Sequence, residues 1–166
     1  MRLAIFCSSL SIFIVLHHTP KSFQKMFDTL EKYKKTDHFF FNKTDALESV
    51  CNAPKKGVGV YVVYQLKGGR IELVYIGSSG MVLQSGDLKV RIGGMADDIV
   101  NGEQFGKARK VSWKAKLTAE NIDAVDVYWY ETFDKENHDI PNVVKGVLLQ
   151  RFYEIHGALP KWNKEF

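Results

Sequence analysis

The middle of the chain carries continuous runs of β-branched and aromatic residues. Residues 58–66 form one such run and residues 71–76 form another, with Gly68-Gly69 between them. This pattern predicts two antiparallel strands joined by a tight turn. Residues 122–133 alternate well enough to predict a third strand. Its inward face is expected to carry Val125, Val127 and Trp129.

Helical spacing of apolar residues predicts the elements around these strands. Ser22 caps a predicted helix over residues 22–35, and shorter helices are predicted over 44–50, opened by Thr44 or Asp45, and over 95–100. Pro141 begins a further helix that runs to about His156. We expect that helix to bury Val144, Leu148, Phe152 and Ile155. The sequence therefore predicts an α+β fold, a small antiparallel sheet of about three strands with a hairpin core, flanked by helices.

The face on which two tyrosines of the hairpin lie depends on its turn. If the turn holds an even number of residues centred on Gly68-Gly69, Tyr61 and Tyr75 point to opposite sides of the sheet. If the loop is Lys67-Gly68-Gly69, Tyr61 pairs directly with Tyr75 and both hydroxyls share one face. A three-residue loop needs a left-handed last residue, which Gly69 can supply, so we predict the odd loop. The alternative is that both tyrosines are ordinary strand aromatics.

The N-terminal residues have a different character from the rest. Arg2 precedes the apolar run LAIFCSSLSIFIVL, which is too short to span a bilayer comfortably and has no small-x-small cleavage site after it. Residues 1–19 are a secretory signal, an extension outside the domain, or a strand or helix packed on the core. The last two are favoured, which predicts a cytoplasmic protein outside the membrane and leaves secretion open. We divide the chain into an N-terminal extension over 1–55 and one domain over 56–166.

Charge and cysteine content narrow the class of protein. The 166 residues suffice for one domain with a sizeable core, and the net charge of +4, with a pI near 9.0, suits a polyanionic partner. Cys7 and Cys51 lie far apart without metal-ligand spacing, which favours free thiols in a reducing compartment.

One segment concentrates positive charge around an aromatic residue. Trp113 stands among cations with no acid between them, which favours contact with the phosphates of double-stranded DNA, although Trp113 can equally anchor the segment to the core. The predicted DNA-binding residues are Lys107, Arg109, Lys110, Lys114 and Lys116.

Two tripeptides on the predicted hairpin resemble the signature of the GIY-YIG nuclease superfamily. Gly59-Val60-Tyr61 matches its first half and Tyr75-Ile76-Gly77 matches its second half. The tail LLQRFYEIHGALPKWN is similar to the closing segment of restriction-type members. The resemblance covers about residues 57–163, roughly two thirds of the chain.

The resemblance implies a DNA endonuclease that hydrolyses phosphodiester bonds with one divalent metal, expected to be Mg²⁺. It assigns water activation to Tyr61 with Tyr75 as its partner, phosphate binding to Arg91, and a supporting role to Asn163. Such catalysis is mostly positioning and electrostatic stabilisation. Because double-strand cutting by a single-site domain commonly uses a dimer, a homodimer is expected.

The chain departs from the family pattern at the metal-binding position. The resemblance places a glutamate three residues before Leu148-Leu149-Gln150, and Lys145 stands there. A protonated lysine cannot ligate a divalent cation, so we expect metal affinity at that site to be lost. Met95 stands where members often place His or Tyr, four residues after the arginine. Glu131, Asp97 and Asp98 are alternative acids, whereas Glu154 is too far along the helix.

Three functions therefore compete. The first is a restriction-type DNA endonuclease, disabled if Lys145 abolishes metal binding. The second is a DNA-binding protein on the same scaffold that does not cut. The third is an interaction domain for another kind of partner, in which the tyrosines belong only to the core. A steep salt dependence of DNA affinity separates the first two from the third.

Overall fold

In a computed structural model, the structure of the protein is described for residues 27–166. The alternatives for residues 1–19, and the beginning of the predicted helix over 22–35, lie outside the described residues. In chain order the elements are β1 (Thr36–Asn42), α1 (Leu47–Val50), β2 (Val58–Lys67), β3 (Arg70–Ser79), β4 (Met81–Val82), β5 (Leu88–Lys89), α2 (Gly94–Asn101), β6 (Glu103–Gln104), β7 (Lys107–Ala108), α3 (Arg109–Ala119), β8 (Ala124–Phe133) and α4 (Pro141–His156).

The main sheet has four antiparallel strands in the order β1-β8-β2-β3. This confirms the α+β fold and the hairpin core, with one strand more than the three expected. The additional strand is β1, which the phenylalanine run 39–41 builds by burying Phe39 and Phe41 and exposing Phe40. Both β1 and α1 precede residue 56 in the chain, yet β1 pairs with β8 and Leu47 of α1 is buried in the same core.

Helices and turns cover both faces of this sheet. One face carries Tyr61, Val63, Val125 and Val127, which pack with residues of α1, α2 and α3. The other face carries Val60, Val62, Leu73 and Ile76, which pack against α4 and against Leu30 and Tyr33. Because successive side chains of a strand point to opposite faces, a strand buried on both faces reads as one continuous apolar run. This explains the unbroken hydrophobicity of β2.

The hairpin turn differs from the predicted three-residue loop, which is wrong. Lys67 pairs with Arg70, so the loop is the two-residue Gly68-Gly69, and both glycines have the positive φ that such a tight turn requires (54° and 74°). An irregularity restores the shared face: Val63 pairs with Tyr75 and Tyr64 with Leu73, which leaves Val74 as an extra residue in β3. This bulge shifts the alternation by one, so Tyr61 opposes Gly77 and both tyrosines point to the same face.

The helix predictions hold best at the C-terminal end. Helix α4 has the predicted bounds and buries Leu148, Leu149 and Phe152, whereas Ile155 is exposed. Residues 28–32 form turns rather than a helix, and residues 33–35 lead into β1; Leu30 N donates to Phe27 O and Tyr33 N donates to Leu30 O. Spacing of three residues serves these turns as well as a helix, which is why the apolar pattern alone misled. Helix α1 begins at Leu47, three residues later than predicted from Thr44.

Within residues 27–166, no helix has the length and apolar character needed to cross a membrane.

Candidate functional site

Tyr61 and Tyr75 lie beside each other on the face of the sheet that α2 and α3 cover. Their ring centroids are 6.0 Å apart, and Tyr61 is 1% exposed. The ring of Tyr61 lies directly over Gly77, where an added β-carbon would stand 2.3 Å from its Cζ atom. The glycine of the second tripeptide is therefore needed because any side chain there would displace the tyrosine of the first.

Arg109, the first residue of α3, supplies the guanidinium that meets these two phenols. Its Nη2 donates to the Tyr75 hydroxyl at 3.0 Å, and its Cζ lies 5.6 Å and 5.4 Å from the ring centroids of Tyr61 and Tyr75. Arg109 is only 6% exposed. Tyr61, Tyr75 and Arg109 thus form one buried phenol–guanidinium cluster. The sequence predicts Arg109 as a DNA-binding residue, and the structure buries it.

The other hydrogen bonds of Arg109 go to neutral acceptors. Its Nη1 donates to the Asp98 carbonyl at 2.7 Å, and its Nε donates to Gln104 Oε1 at 3.2 Å. Gln104 Oε1 also accepts from Trp113 Nε1 at 2.7 Å. No carboxylate of residues 27–166 forms an ion pair with Arg109. The cluster therefore contains a buried positive charge that forms no close ion pair within residues 27–166, although the carboxylate of Asp98 acts on it at longer range.

The environment of the cluster fixes its protonation. Burial raises the pKa of the Tyr61 phenol well above its usual value, and the positive charge of Arg109 offsets that rise only in part. Burial lowers the pKa of the Arg109 guanidinium, but the phenols of Tyr61 and Tyr75 and the charge of Asp98 more than compensate, so that its pKa stays above its usual value. At neutral pH Tyr61 therefore keeps its proton and Arg109 keeps its charge.

Asn163 holds the edge of β3 beside Tyr75. Its Oδ1 accepts from the Ile76 amide at 3.0 Å and its Nδ2 donates to the Ile76 carbonyl at 2.9 Å. The neighbouring Trp162 amide donates to the Val74 carbonyl at 2.8 Å. The side chain of Asn163 thus acts as a strand partner for the residue between Tyr75 and Gly77. Its amide is committed to the backbone, so Asn163 positions the cluster.

A cavity of about 310 Å³ opens next to Tyr75, and we call it the Tyr75 cavity. It brings Lys145 of α4 together with Tyr75 and Asn163. Lys145 has no ion-pair partner in the described part of the chain. The remaining lining residues are Glu103, Gln104, Phe105, Gly106, Trp162, Lys164 and Glu165.

Arg91 lies outside this group. Its side chain is 49% exposed and pairs with two carboxylates, with Nε 2.9 Å from Asp97 Oδ2 and Nη1 3.5 Å from Asp98 Oδ1. Arg91 does not line the Tyr75 cavity. The structure thus brings Arg109, and not Arg91, to the two phenols.

A sequence signal for Arg109 exists. The resemblance places His or Tyr four residues after the arginine; Trp113, which is aromatic but neither of these, stands four residues after Arg109, and Met95 stands four residues after Arg91. Residues four apart share one face of a helix, so a buried Trp113 implies an inward Arg109. Gln104, which holds both side chains, carries no comparable signal.

The predicted DNA-binding lysines remain at the surface. Lys107, Lys110 and Lys114 are exposed, and we call them the basic strip. Lys110 and Lys114 line an open groove of about 340 Å³ beside α1. Lys116 instead pairs with Glu120 and lies with its Nζ 4.9 Å from the Phe105 ring centroid.

The Tyr75 cavity lacks the expected Mg²⁺ ligand, although two other carboxylates, Glu103 and Glu165, line it. Lys145 occupies the expected ligand position, and no cluster of three or more His, Cys, Asp or Glu side chains that could hold a metal occurs in residues 27–166. The alternative acids lie elsewhere: Asp97 and Asp98 pair with Arg91, Glu131 lies 3.6 Å from Lys35 Nζ, and Glu154 accepts from Gln150.

Comparisons of the chain with protein-family models, with curated proteins and with solved structures found no match.

Proposed function

We propose that this protein binds double-stranded DNA at the Tyr75 cavity, on a scaffold of the restriction-type GIY-YIG endonucleases, and does not hydrolyse the DNA in its present sequence. The cluster of Tyr61, Tyr75 and Arg109 supports the scaffold, since it joins both halves of the signature to one arginine. Lys145 at the expected metal-ligand position supports the loss of hydrolysis.

The buried charge of Arg109 is the observation that carries the proposal. A guanidinium that is 6% exposed and forms no close ion pair within residues 27–166 is stabilised by Asp98 only at longer range, so a bound anion can stabilise it further. A phosphate bound at Tyr75 compensates that charge. Because Arg109 donates to the Tyr75 oxygen, the Tyr75 proton is available to a phosphate oxygen in the cavity.

Lysines extend the contact beyond the cluster. Lys145 adds an ammonium group inside the cavity, and the basic strip adds three more cations on β7 and α3. Contacts of this kind bind the DNA backbone without reading its sequence. The proposal therefore concerns duplex DNA as a class and no particular recognition site.

The salt dependence of duplex affinity tests this proposal. The logarithm of the binding constant is expected to fall with the logarithm of salt concentration by about 0.9 for each phosphate neutralised, so a cavity and a strip together give a slope of several units. Lys145→Gln is expected to weaken binding and to reduce the slope by about one. Lys67→Gln removes one charge from the exposed hairpin turn and is the matched control. A shallow slope for the wild type contradicts the proposal.

Active phosphodiester hydrolysis is the second candidate function. Its support is that Glu103 and Glu165, two carboxylates, line the same cavity as Tyr75. Nicking of supercoiled plasmid by the wild-type protein in Mg²⁺ distinguishes it from the first. Nicking by the wild type establishes this candidate, whereas retarded but intact plasmid supports a binding protein.

A homodimer and a cytoplasmic location belong to the same proposal. Two sites related by a twofold axis would engage both strands of a duplex. Sedimentation with and without duplex DNA tests the dimer, and fractionation of expressing cells tests the location.

A further inference from the structure

Phe105 adopts a backbone conformation that is unusual for its side chain. It has φ +56°, and Asn121 is the only other non-glycine residue with positive φ in the described chain. Asparagine tolerates the left-handed region, whereas a bulky residue rarely adopts it. Phe105 therefore stands in the turn at an energetic cost, and such outliers concentrate at functional sites.

The β2–β3 hairpin shows what this turn geometry normally contains. The loop Phe105-Gly106 between β6 and β7 holds two residues with positive φ, like Gly68-Gly69 between β2 and β3. Glycine or asparagine satisfies that geometry, and phenylalanine does not. The turn itself therefore does not explain Phe105, whose partly buried ring packs against the core and also lines the Tyr75 cavity.

The surroundings of this ring resemble a site for one nucleotide. Phe105 lines the Tyr75 cavity and packs edge-on against Trp162, with ring centroids 5.7 Å apart. Lys116 lies over the ring, and the cavity is also lined by the ammonium groups of Lys145 and Lys164 and by the carboxylates of Glu103 and Glu165. The volume of about 310 Å³ is at the small end of ligand pockets. An apolar aromatic wall beside ammonium groups and a phenol suits a base attached to its phosphate.

We infer that the Tyr75 cavity receives a single unpaired nucleotide of the bound DNA, with its base against Phe105 and its phosphate at Lys145 and Tyr75. This inference rests on the proposed function and specifies its substrate as duplex DNA with an unpaired or extruded nucleotide. Removing a base from a duplex costs stacking and pairing, and the cost is smallest when the base already lacks a partner. The protein therefore prefers a duplex with one unpaired nucleotide to the same duplex fully paired.

Two duplexes that differ by one nucleotide test this inference. One is fully paired, and the other carries one unpaired 2-aminopurine, whose fluorescence rises when it leaves the base stack. We expect wild-type protein to bind the second roughly tenfold more tightly, as stacking on one aromatic side chain predicts, and to change its emission on binding. Equal affinities with unchanged emission overturn the inference, while steep salt-dependent binding of both duplexes still supports the proposed function.

Variants of the aromatic residue separate base contact from packing. Phe105→Leu keeps an apolar contact with Trp162 and is expected to lose the preference, whereas Phe105→Tyr is expected to keep it. Phe40→Leu, at a 43% exposed phenylalanine of β1, is the matched control. A preference that survives in Phe105→Leu overturns the inference. If Phe105→Leu does not fold, the affinities and emission of the wild type still decide. Failure of the wild type to bind either duplex counts against the proposed function itself.

Discussion

The ring of Tyr61 occupies the space in which a side chain on Gly77 would lie. An added β-carbon would stand 2.3 Å from Tyr61 Cζ and 2.5 Å from its hydroxyl oxygen. The two halves of the hairpin signature are thus one packing unit, in which the glycine of β3 accommodates the tyrosine of β2. Tyr61 in turn supports Tyr75 and Arg109, so this contact sets the geometry of the whole cluster.

Gly77→Ala is expected to destabilise the protein and weaken DNA binding. The extra methyl group forces the fully buried Tyr61 ring to move, and overpacking of this kind costs about 1–3 kcal/mol. Gly146→Ala is the control, because a β-carbon there meets no atom within 4 Å, and alanine in a helix is favoured by up to about 1 kcal/mol. Urea unfolding of both variants measures the difference. Equal stability of the two would contradict the packing described for Tyr61.

Asn163→Ala is expected to lower stability through the backbone of Ile76. The substitution removes both hydrogen bonds to Ile76 and leaves an amide and a carbonyl at the strand edge without partners, each costing about 1–3 kcal/mol if buried. Asn142→Ala removes an exposed asparagine whose side chain, within residues 27–166, accepts one hydrogen bond from Ser78, and is expected to change stability by less than about 0.5 kcal/mol. Denaturant titration compares the two, and a neutral Asn163→Ala would show that the tail does not hold β3.

Arg109→Lys is expected to weaken duplex binding about tenfold or more. Lysine keeps the charge but cannot reproduce the fork that reaches Tyr75, Asp98 and Gln104 together. Arg91→Lys keeps a half-exposed ion pair with Asp97, and such pairs contribute little. Fluorescence anisotropy with labelled duplex measures both variants. A larger loss of duplex affinity in Arg91→Lys than in Arg109→Lys would indicate that phosphate binds near Arg91 and not at the phenols of Tyr61 and Tyr75.

Stability is expected to fall as pH rises above about 10, the usual pKa of tyrosine. Burial raises the pKa of Tyr61 and of Tyr64 well above 10 and that of Tyr130 to about 12. Between the unfolded and folded values, the unfolded chain loses protons that the folded protein retains, so the free energy of unfolding decreases with pH. Below about pH 10 these tyrosines keep their protons in both the folded and the unfolded state, so they do not lower the free energy of unfolding there. Tyr64→Phe is expected to make the decline shallower in urea unfolding at stepped pH, and Tyr153→Phe, at a 48% exposed site, controls for loss of a hydroxyl.

Local patterns predicted the elements better than they predicted the site. The runs in β2, β3 and β8 and the proline that opens α4 each carry their own signal, so those elements were found. The bulge at Val74 carries no sequence signal of its own, because a β-branched residue suits a regular strand equally well. The prediction assumed a longer turn and no bulge. These two errors cancel, because the shorter turn alone would place Tyr61 and Tyr75 on opposite faces and the bulge returns them to one face.

The contrast between Arg91 and Arg109 shows that closeness in sequence to the hairpin does not predict which arginine reaches the two phenols. Arg91 follows the hairpin more closely in sequence, but α2 and the β6–β7 hairpin bring the start of α3 back to β3. That return depends on tertiary contacts such as those of Gln104, which no local pattern encodes. Lys145 was singled out only by counting back from Leu148-Leu149-Gln150 on the family pattern, and its place at the Tyr75 cavity is known from the structure alone.

Substitution of Lys145 tests the proposed function most directly. The lysine stands in the Tyr75 cavity where the family resemblance expects a metal-binding carboxylate. A glutamate there restores the expected oxygen ligand and removes a competing ammonium group. Lys145→Gln, which removes the charge without adding a carboxylate, is the control for loss of the ammonium alone.

Plasmid cleavage in Mg²⁺ by wild type, Lys145→Glu and Lys145→Gln is the most direct measurement. The account predicts that the wild type and Lys145→Gln leave supercoiled plasmid intact and that Lys145→Glu nicks it. Cleavage by the wild type, or an inert Lys145→Glu that still folds and binds duplex DNA, would contradict a nuclease scaffold disabled at this residue.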